Sequence, residues 1–300
     1  MKIPYKTAFI VNPAGGGGYS GRAWPLIAKR LDYNGQKYQA YFTGRQGDGT
    51  RLAEEAVNNG AELVVAVGGD GTIREVINGI EIKRTLFGII PLGTGNGFRR
   101  SCGIPRQWDE ALDGLAHWDP RLIDVGKING SYFLNVVGIG FDAAVAAMAY
   151  SKYSSLKGYM AYVAAFFDKL RNFDHFSASI NTGTKIIEEN RTLLVVIANG
   201  CFYGGAFAIA PQAVIDDGRL DLILVRKTNY SKTTLLAIEV LAKKHLASKA
   251  VVSLSGTNFR IETDHEVPVH VDGEVVGSLP ADIYIEPASL KIIAPKNSTC

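Results

Sequence analysis

Cysteine is scarce in this chain: Cys102, Cys201 and Cys300 make an odd set with no C-x-x-C among them. That argues against a disulfide framework or a zinc cage, and it makes a reducing cytosol the natural setting. Histidine is nearly as sparse, and its nearest pair, His265 and His270, has a spacing that fits no zinc motif. An excess of charge of one sign is also missing, since 32 basic and 29 acidic residues leave +3. Nucleic-acid binding asks for a dense basic stripe, which is absent; an anionic membrane surface is compatible with so mild a charge. No run approaches the roughly 18 to 20 apolar residues of a membrane span. The opening MKIPYKTAFIVNP has too short an apolar run for a signal peptide and leads straight into glycines. No GxxxxGK[ST] excludes a P-loop, and no GxSxG excludes the usual α/β-hydrolase elbow.

What is present is globular. Three hundred residues, 47% hydrophobic and 20% charged, suit one large domain or two ordinary ones with a real core. The first part alternates apolar strands (Thr7–Val11, Tyr38–Thr43, Glu62–Val67, Leu86–Ile90) with helical stretches (21–31, 51–59, 72–80). That pattern predicts a parallel sheet covered on both faces. After about residue 121 the texture changes to short strands broken by Gly, Asn and Asp: 122–127, 132–137, 193–198, 220–225, 258–262, 267–271 and 282–285. These predict an antiparallel sandwich or barrel, interrupted by helices over 156–172 and 231–246. The expected architecture is a Rossmann-like α/β domain over residues 1–125 and an antiparallel β-sandwich domain over 126–286. A last strand at 290–294 leaves residues 287–300 free to return to the first.

Strand ends in the first part carry glycine loops, and ligands bind at the carboxyl ends of strands in open α/β sheets. The sharpest is Gly68-Gly69-Asp70-Gly71-Thr72. Its glycines let backbone N–H groups approach phosphate oxygens, and the helix that follows points its positive end the same way. Asp70 suits a magnesium or water partner there; the plainer reading is a tight turn with Asp as a cap. In Pro91-Leu92-Gly93-Thr94-Gly95-Asn96, Thr94 and Asn96 offer short hydrogen-bonding side chains beside flexible backbone. The loop Asn12-Pro13-Ala14-Gly15-Gly16-Gly17-Gly18 contains a GxGxxG spacing. The second strand nevertheless ends in Thr43-Gly44, without the acid a dinucleotide's ribose needs.

Together, NPAGG, GGDGT and PLGTGN resemble the diacylglycerol kinase family, including its sphingosine kinase relatives. The second half continues the likeness with Ile123-Asp124-Val125-Gly126, Asn135, Gly138-Ile139-Gly140-Phe141-Asp142, Asn199-Gly200, Tyr203-Gly204-Gly205, Asp216-Asp217-Gly218-Arg219-Leu220-Asp221 and Val271-Asp272-Gly273-Glu274. GGDGT alone is shared with NAD kinases, whereas GTGN followed by Phe98, then DDGxLD and DGE in order, is more specific to lipid kinases.

The resemblance implies catalysis in a cleft between a nucleotide domain and a β-sandwich domain. It implies ATP contacts from Asn12, Pro13, Ala14, Gly15, Gly16, Thr43, Gly69, Asp70, Gly71, Thr72, Ile73, Arg74, Glu75 and Thr94, with Asn96 beside them. It implies Glu274 as general base, with Asp70 and Asp124 steadying a catalytic magnesium directly or through water. A second, structural magnesium would be held by Asp217 and the carbonyls of Val214 and Arg219. For Glu274 and for Asp216-Asp217-Gly218, an Asp-Gly turn is the alternative. One departure stands out: many bacterial members place an acid after the loop asparagine, where this chain has Gly97. Either a water replaces that carboxylate or the acceptor lipid differs.

On the lipid side, Tyr159, Tyr162, Val163, Phe166, Phe167 and Leu170 share one helix face, flanked by Lys152, Lys157, Lys169 and Arg171. Packing on the sandwich is the favoured reading, an acyl groove the other. The second helix, with Lys243, Lys244 and Lys249, is read the same way. The expected activity is transfer of the γ-phosphate of ATP, with Mg2+, to a lipid hydroxyl at a membrane surface. Diacylglycerol comes first, a sphingoid base or phosphatidylglycerol second. An NAD kinase and an inactive relative are the alternatives from other classes. The expected location is cytoplasmic, transiently at the inner face of the membrane; oligomeric state is open, a homodimer included.

Overall fold

The structure, a computed structural model, describes residues 2–153, 156, 159–203 and 207–296. Lys157, Gly204, Gly205 and Cys300 lie outside these, as do the side chains of Tyr159 and Tyr203. The described residues divide into two units, 2–125 with 287–296, and 126–286.

The first unit is built from β1 (Thr7–Val11), α1 (Gly15–Tyr33), β2 (Tyr38–Phe42), α2 (Asp48–Asn58), β3 (Leu63–Gly68), α3 (Asp70–Ile77), β4 (Leu86–Pro91), α4 (Gly97–Ser101), α5 (Trp108–His117) and the start of β5 (Pro120–Ile128). β1 lies between β2 and β3, β3 pairs with β4, and all three pairings are parallel. Residues Lys291 and Ile292 of the chain's last strand add to β4, again in parallel. β1 and β3 are buried along their whole length. That is what helices on both faces demand, and it explains why these strands read as unbroken apolar runs. Phe9, Val11, Val65 and Val67 pack under Trp24, Ile27 and Leu31 of α1 and Leu112 and Leu115 of α5.

The second unit continues with β6 (Ser131–Phe133), β7 (Val136–Gly140), α6 (Phe141–Ser151), α7 (Tyr159–Asn172), β8 (Phe176–Asn181), β9 (Ile186–Ala198), β10 (Phe202–Tyr203), β11 (Phe207–Ala208), β12 (Leu220–Arg226), α8 (Tyr230–Leu241), β13 (Val251–Gly256), β14 (Asn258–Thr263), β15 (Pro268–Val271), β16 (Glu274–Ser278) and β17 (Ala281–Ile293). The pairings among its strands are antiparallel. β9 runs beside β8 in its first half and between β7 and β12 in its second. The period of two decides the layers. Val137, Ile139, Val195, Ile197, Leu222 and Leu224 point into the sandwich with Phe259 and Ile261. Their neighbours Val136, Val196, Ile223 and Val225 face the other way, against a layer that includes Phe141, Ala165 and Leu236 of α6, α7 and α8.

The single strand expected over 132–137 is two, β6 and β7. Leu134 and Asn135 lie between them, and their amides, with that of Val136 at the start of β7, turn to one carboxylate, described below. Strands β8, β10, β11, β13 and β16 and helices α4, α5 and α6 are additional to the sequence reading. On α7, Tyr162, Phe166 and Leu170 pack against the core while Phe167 stays 41% exposed, so most of the apolar face is a packing face. Lys152 pairs with Asp168 at 2.6 Å. Cys102 is buried and forms no disulfide. Among the described residues, no helix is long and apolar enough to cross a membrane.

Phe259 is 1% exposed at the centre of the sandwich core. Phe259→Ala is expected to cost about 3 to 5 kcal/mol. Tyr33→Ala, at a residue 91% exposed, should stay within about 0.5 kcal/mol. Urea denaturation followed by circular dichroism checks both; equal losses would contradict the core assignment.

Candidate active site

β1, β3 and β4 run the same way, so the loops that leave their carboxyl ends share one edge of the sheet. Their glycines bring them into contact. Gly16 adopts φ 61°, and a Cβ there would fall inside the Leu92 carbonyl oxygen. A Cβ on Gly69 would lie 3.1 Å from the Gly93 Cα, and one on Gly93 would overlap Gly69. Backbone therefore rests on backbone at two places, which only glycine permits at both. Polar side chains tie the same loops together. Asn12 donates from Nδ2 to the Thr72 hydroxyl at 3.0 Å and accepts from the Ala14 amide at 3.1 Å. Asn96, at φ 51°, closes its loop by bonding the Gly93 amide and carbonyl at 3.1 and 2.7 Å. Thr94 stands exposed at the tip.

Asp70 is the first residue of α3. Its Oδ2 accepts from the Gly97 amide at 3.0 Å and its Oδ1 from the Phe98 amide at 3.2 Å. The carboxylate thus holds the start of α4, beside the position where Gly97 stands. Burial pushes its pKa up, while the Gly97 and Phe98 amides and the charge of Arg99 pull it down. A carboxylate has about four lone-pair sites, so Asp70 still has capacity for a cation or its water beyond these amide bonds. Magnesium keeps several waters and needs only one or two carboxylates beside substrate phosphates, so Asp70 fits that use. Asp124 is 2% exposed, and its Oδ1 accepts from the Ala288 amide at 2.7 Å, which fastens the chain's return to the first unit. Among the described residues, no cluster of three or more His, Cys, Asp or Glu forms a ready cation site.

The rest of the sequence-derived nucleotide set divides by what it touches. Glu75 accepts from the Gly47 and Gly49 amides, both at 2.8 Å, and so caps α2. Ile73 is buried in the core, and its amide donates to the Gly69 carbonyl. Gly71 and Arg74 lie on α3 with them. Thr43 directly follows β2, with its amide on the Val11 carbonyl at 2.9 Å. Pro13, Ala14 and Gly15 form the turn that opens α1, where the Gly15 amide donates to the Asn12 carbonyl at 3.0 Å. The surfaces left facing outward are those of Asn12–Gly16, Gly69–Gly71 and Gly93–Gly95.

In the second unit, Glu274 begins β16 opposite Val271. The two residues between, Asp272 at φ 49° and Gly273 at φ 93°, make a tight hairpin with positive φ at both positions. The Asp-Gly turn is real, and it is pinned. The Asp272 carboxylate accepts from the amides of Leu134, Asn135 and Val136 at 3.1, 3.1 and 2.8 Å. His270, fully buried, bonds Asp142 at 3.0 Å through Nε2, and Gly138 leaves room for that pair. Sequence reasoning missed both contacts, which join residues far apart in the chain; only the Asp142 and Asp272 motifs were visible.

Asp216-Asp217-Gly218 is a turn leading into β12, without the hairpin that an Asp-Gly signal suggests. Asp217 accepts from the Arg219 amide at 2.9 Å, and Val214, Asp217 and Arg219 are all exposed. Nearby Asp221 is 6% exposed, and its carboxyl is raised by burial and then by the charge of Asp217.

Residues 6–128 match the model of the diacylglycerol kinase catalytic domain, and residues 135–294 that of the YegS C-terminal NAD kinase beta sandwich-like domain. A diacylglycerol kinase of Staphylococcus haemolyticus (strain JCSC1435) is 30% identical over 290 residues, covering 96% of this chain and 88% of that protein. The chain belongs to the diacylglycerol kinase family. It is a lipid kinase with the family's α/β domain and β-sandwich domain. The diacylglycerol kinase of Bacillus subtilis (strain 168) is 28% identical over 299 residues, 97% of each chain. A solved diacylglycerol kinase from Bacillus anthracis str. Sterne matches with a TM-score of 0.74 at 26% identity, covering 98% of both chains.

The raised Asp221 pKa fixes a sign. A carboxyl whose folded pKa lies above its unfolded value favours folding when protonated and opposes it once ionised. Asp221→Asn is therefore expected to raise Tm in metal-free buffer at pH 7.5 and to leave it little changed near pH 3. Differential scanning fluorimetry across that range checks it; a lower Tm at pH 7.5 would contradict the assignment.

Proposed function

We propose that this kinase transfers the γ-phosphate of ATP to the hydroxyl of diacylglycerol, giving phosphatidic acid. The observation that carries the reading is the convergence of three glycine loops around Asp70 at one edge of a parallel sheet. Outward backbone of Asn12–Gly16, Gly69–Gly71 and Gly93–Gly95 supports a phosphate cradle, with the N-terminus of α3 adding its positive end. Phosphoryl transfer asks chiefly for positioning and charge neutralisation, which such a cradle supplies. Magnesium, when bound, would neutralise phosphate oxygens, with Asp70 holding it or its water. Asp217, with the Val214 and Arg219 carbonyls, is the candidate for the structural ion.

The acceptor's proton is assigned to Glu274. A lipid hydroxyl is a weak nucleophile, and a carboxylate within hydrogen-bond reach removes its proton as it attacks. A turn fixed by three amides suits that task, because it holds the carboxylate in place before substrate arrives. The unit holding residues 1–125 is assigned to ATP and the unit holding 126–286 to the lipid. Gly97 favours a second reading, in which the acceptor is another lipid such as a sphingoid base or phosphatidylglycerol. Gly97 stands where the family's acid would be, and Phe98, Arg99 and Arg100 follow it.

The test is transfer of labelled γ-phosphate from Mg–ATP into micellar diacylglycerol, sphingosine, ceramide, phosphatidylglycerol and undecaprenol, with NAD as a soluble control. Label in diacylglycerol is expected; label in a different lipid moves the acceptor, and label in NAD alone overturns the lipid acceptor. Glu274→Gln should lower turnover by about 10²-fold or more, and a few-fold loss would return Glu274 to the turn.

Asp70→Asn keeps one acceptor for the α4 amides and should abolish most transfer. Its cost in stability should be on the order of 1 kcal/mol, the scale of a lost cap. Near-wild-type turnover would remove Asp70 from the reaction.

A further inference from the structure

Helix α8 is apolar on two opposite faces. One face is accounted for: Thr233 and Leu236 are buried, and Val240 packs on the core beneath the outer side of the sheet. At about 100° per residue these three share one side of the helix. The opposite side presents Leu235, Ile238 and Leu241, which are 52%, 58% and 55% exposed. Ser231 and Ala242, both exposed, extend that row at either end. A helix whose inner face is satisfied ordinarily turns polar residues to water. Here branched aliphatic side chains stand there one turn after another.

Charge is gathered around the row. Lys232, Lys243, Lys244 and Lys249 are all exposed, against a single acid, Glu239, between Tyr230 and Lys249. The basic end is held in place. Lys243 sits at φ 57° with its ammonium 5.8 Å from the Phe202 ring centre. His245, 1% exposed, bonds the Ile209 carbonyl at 2.8 Å.

We propose that this face seats the kinase on an anionic phospholipid bilayer. Leu235, Ile238 and Leu241 enter the boundary between headgroups and acyl chains, and the four lysines meet the lipid phosphates. A second copy of the chain on the same face would bring two basic segments together, so charge complementarity selects the anionic surface. The purpose of the docking rests on the lipid-acceptor reading, because a kinase of bilayer lipids has to hold the bilayer while it works. The docking itself does not depend on which lipid is phosphorylated.

The experiment is co-sedimentation of the full chain with vesicles of phosphatidylcholine alone and of phosphatidylcholine with phosphatidylglycerol, without ATP. It compares wild type with the triple variant Leu235→Ser, Ile238→Ser, Leu241→Ser and with the pair Lys243→Glu, Lys244→Glu. Wild type should partition preferentially to the anionic vesicles. The triple variant should lose about 10-fold or more of that binding. The charge reversal should lose several-fold on anionic vesicles only, with a salt dependence weaker than wild type's. All three should melt alike, since the substituted positions are exposed. Equal vesicle binding by wild type and the triple variant would overturn the proposal. So would a wild type that is dimeric in sedimentation velocity and becomes monomeric in the triple variant. A protein that phosphorylates no lipid yet loses vesicle binding in the triple variant would sink the diacylglycerol reading and keep the docking face. Diacylglycerol phosphorylation with unchanged vesicle binding would do the reverse.

Discussion

Carboxylates that accept from backbone amides hold both units in order. Asp70 fastens the start of α4, Glu75 the start of α2, Asp48 the Gly44 and Arg45 amides, and Asp272 three amides between β6 and β7. The Asp48 carboxyl is lowered accordingly, first by the Gly44 bond and then by that of Arg45. Bonds from N–H to an ionised acceptor are about twice as strong as neutral ones, and they fix direction as well as distance. Loops rich in glycine would otherwise be loose. Anchored in this way, they become a surface of fixed shape.

The fold class was legible because its signals are local. Unbroken apolar runs of five or six residues separated by helical stretches leave little besides a parallel sheet buried on both faces. Glycine at each strand end marked the phosphate-type loops for the same reason: the requirement sits in two or three consecutive residues. The jobs of individual acids were less legible. Nothing around Glu75 in sequence says that its carboxylate lies under Gly47 and Gly49, and the bond from His270 to Asp142 spans 128 positions. Strands β8, β13 and β16 escaped because each carries a solvated face and few apolar residues. Strand 132–137 broke in two because a distant carboxylate, Asp272, claims its middle.

Helices α7 and α8 looked alike as sequences and resolved differently. The apolar face of α7 is largely used on the core, leaving Met160 and Phe167 exposed. Helix α8 has apolar residues to spare after its inner face is packed. Periodicity reports that a face is apolar; only the packed structure reports whether something already covers it.

Strand β17 has a consequence for how the protein is made. It pairs with β14 over Ala281–Tyr284 and with β4 at Lys291 and Ile292. The sheet that begins with Thr7 is therefore completed by residues near the end of the chain. On the ribosome, the first hundred or so residues emerge with the β4 edge open, and an unpaired strand edge is where chains join wrongly. Vectorial synthesis thus cannot finish the first unit before the sandwich that interrupts it. A gene fragment encoding residues 1–125 alone encodes a sheet without its final strand.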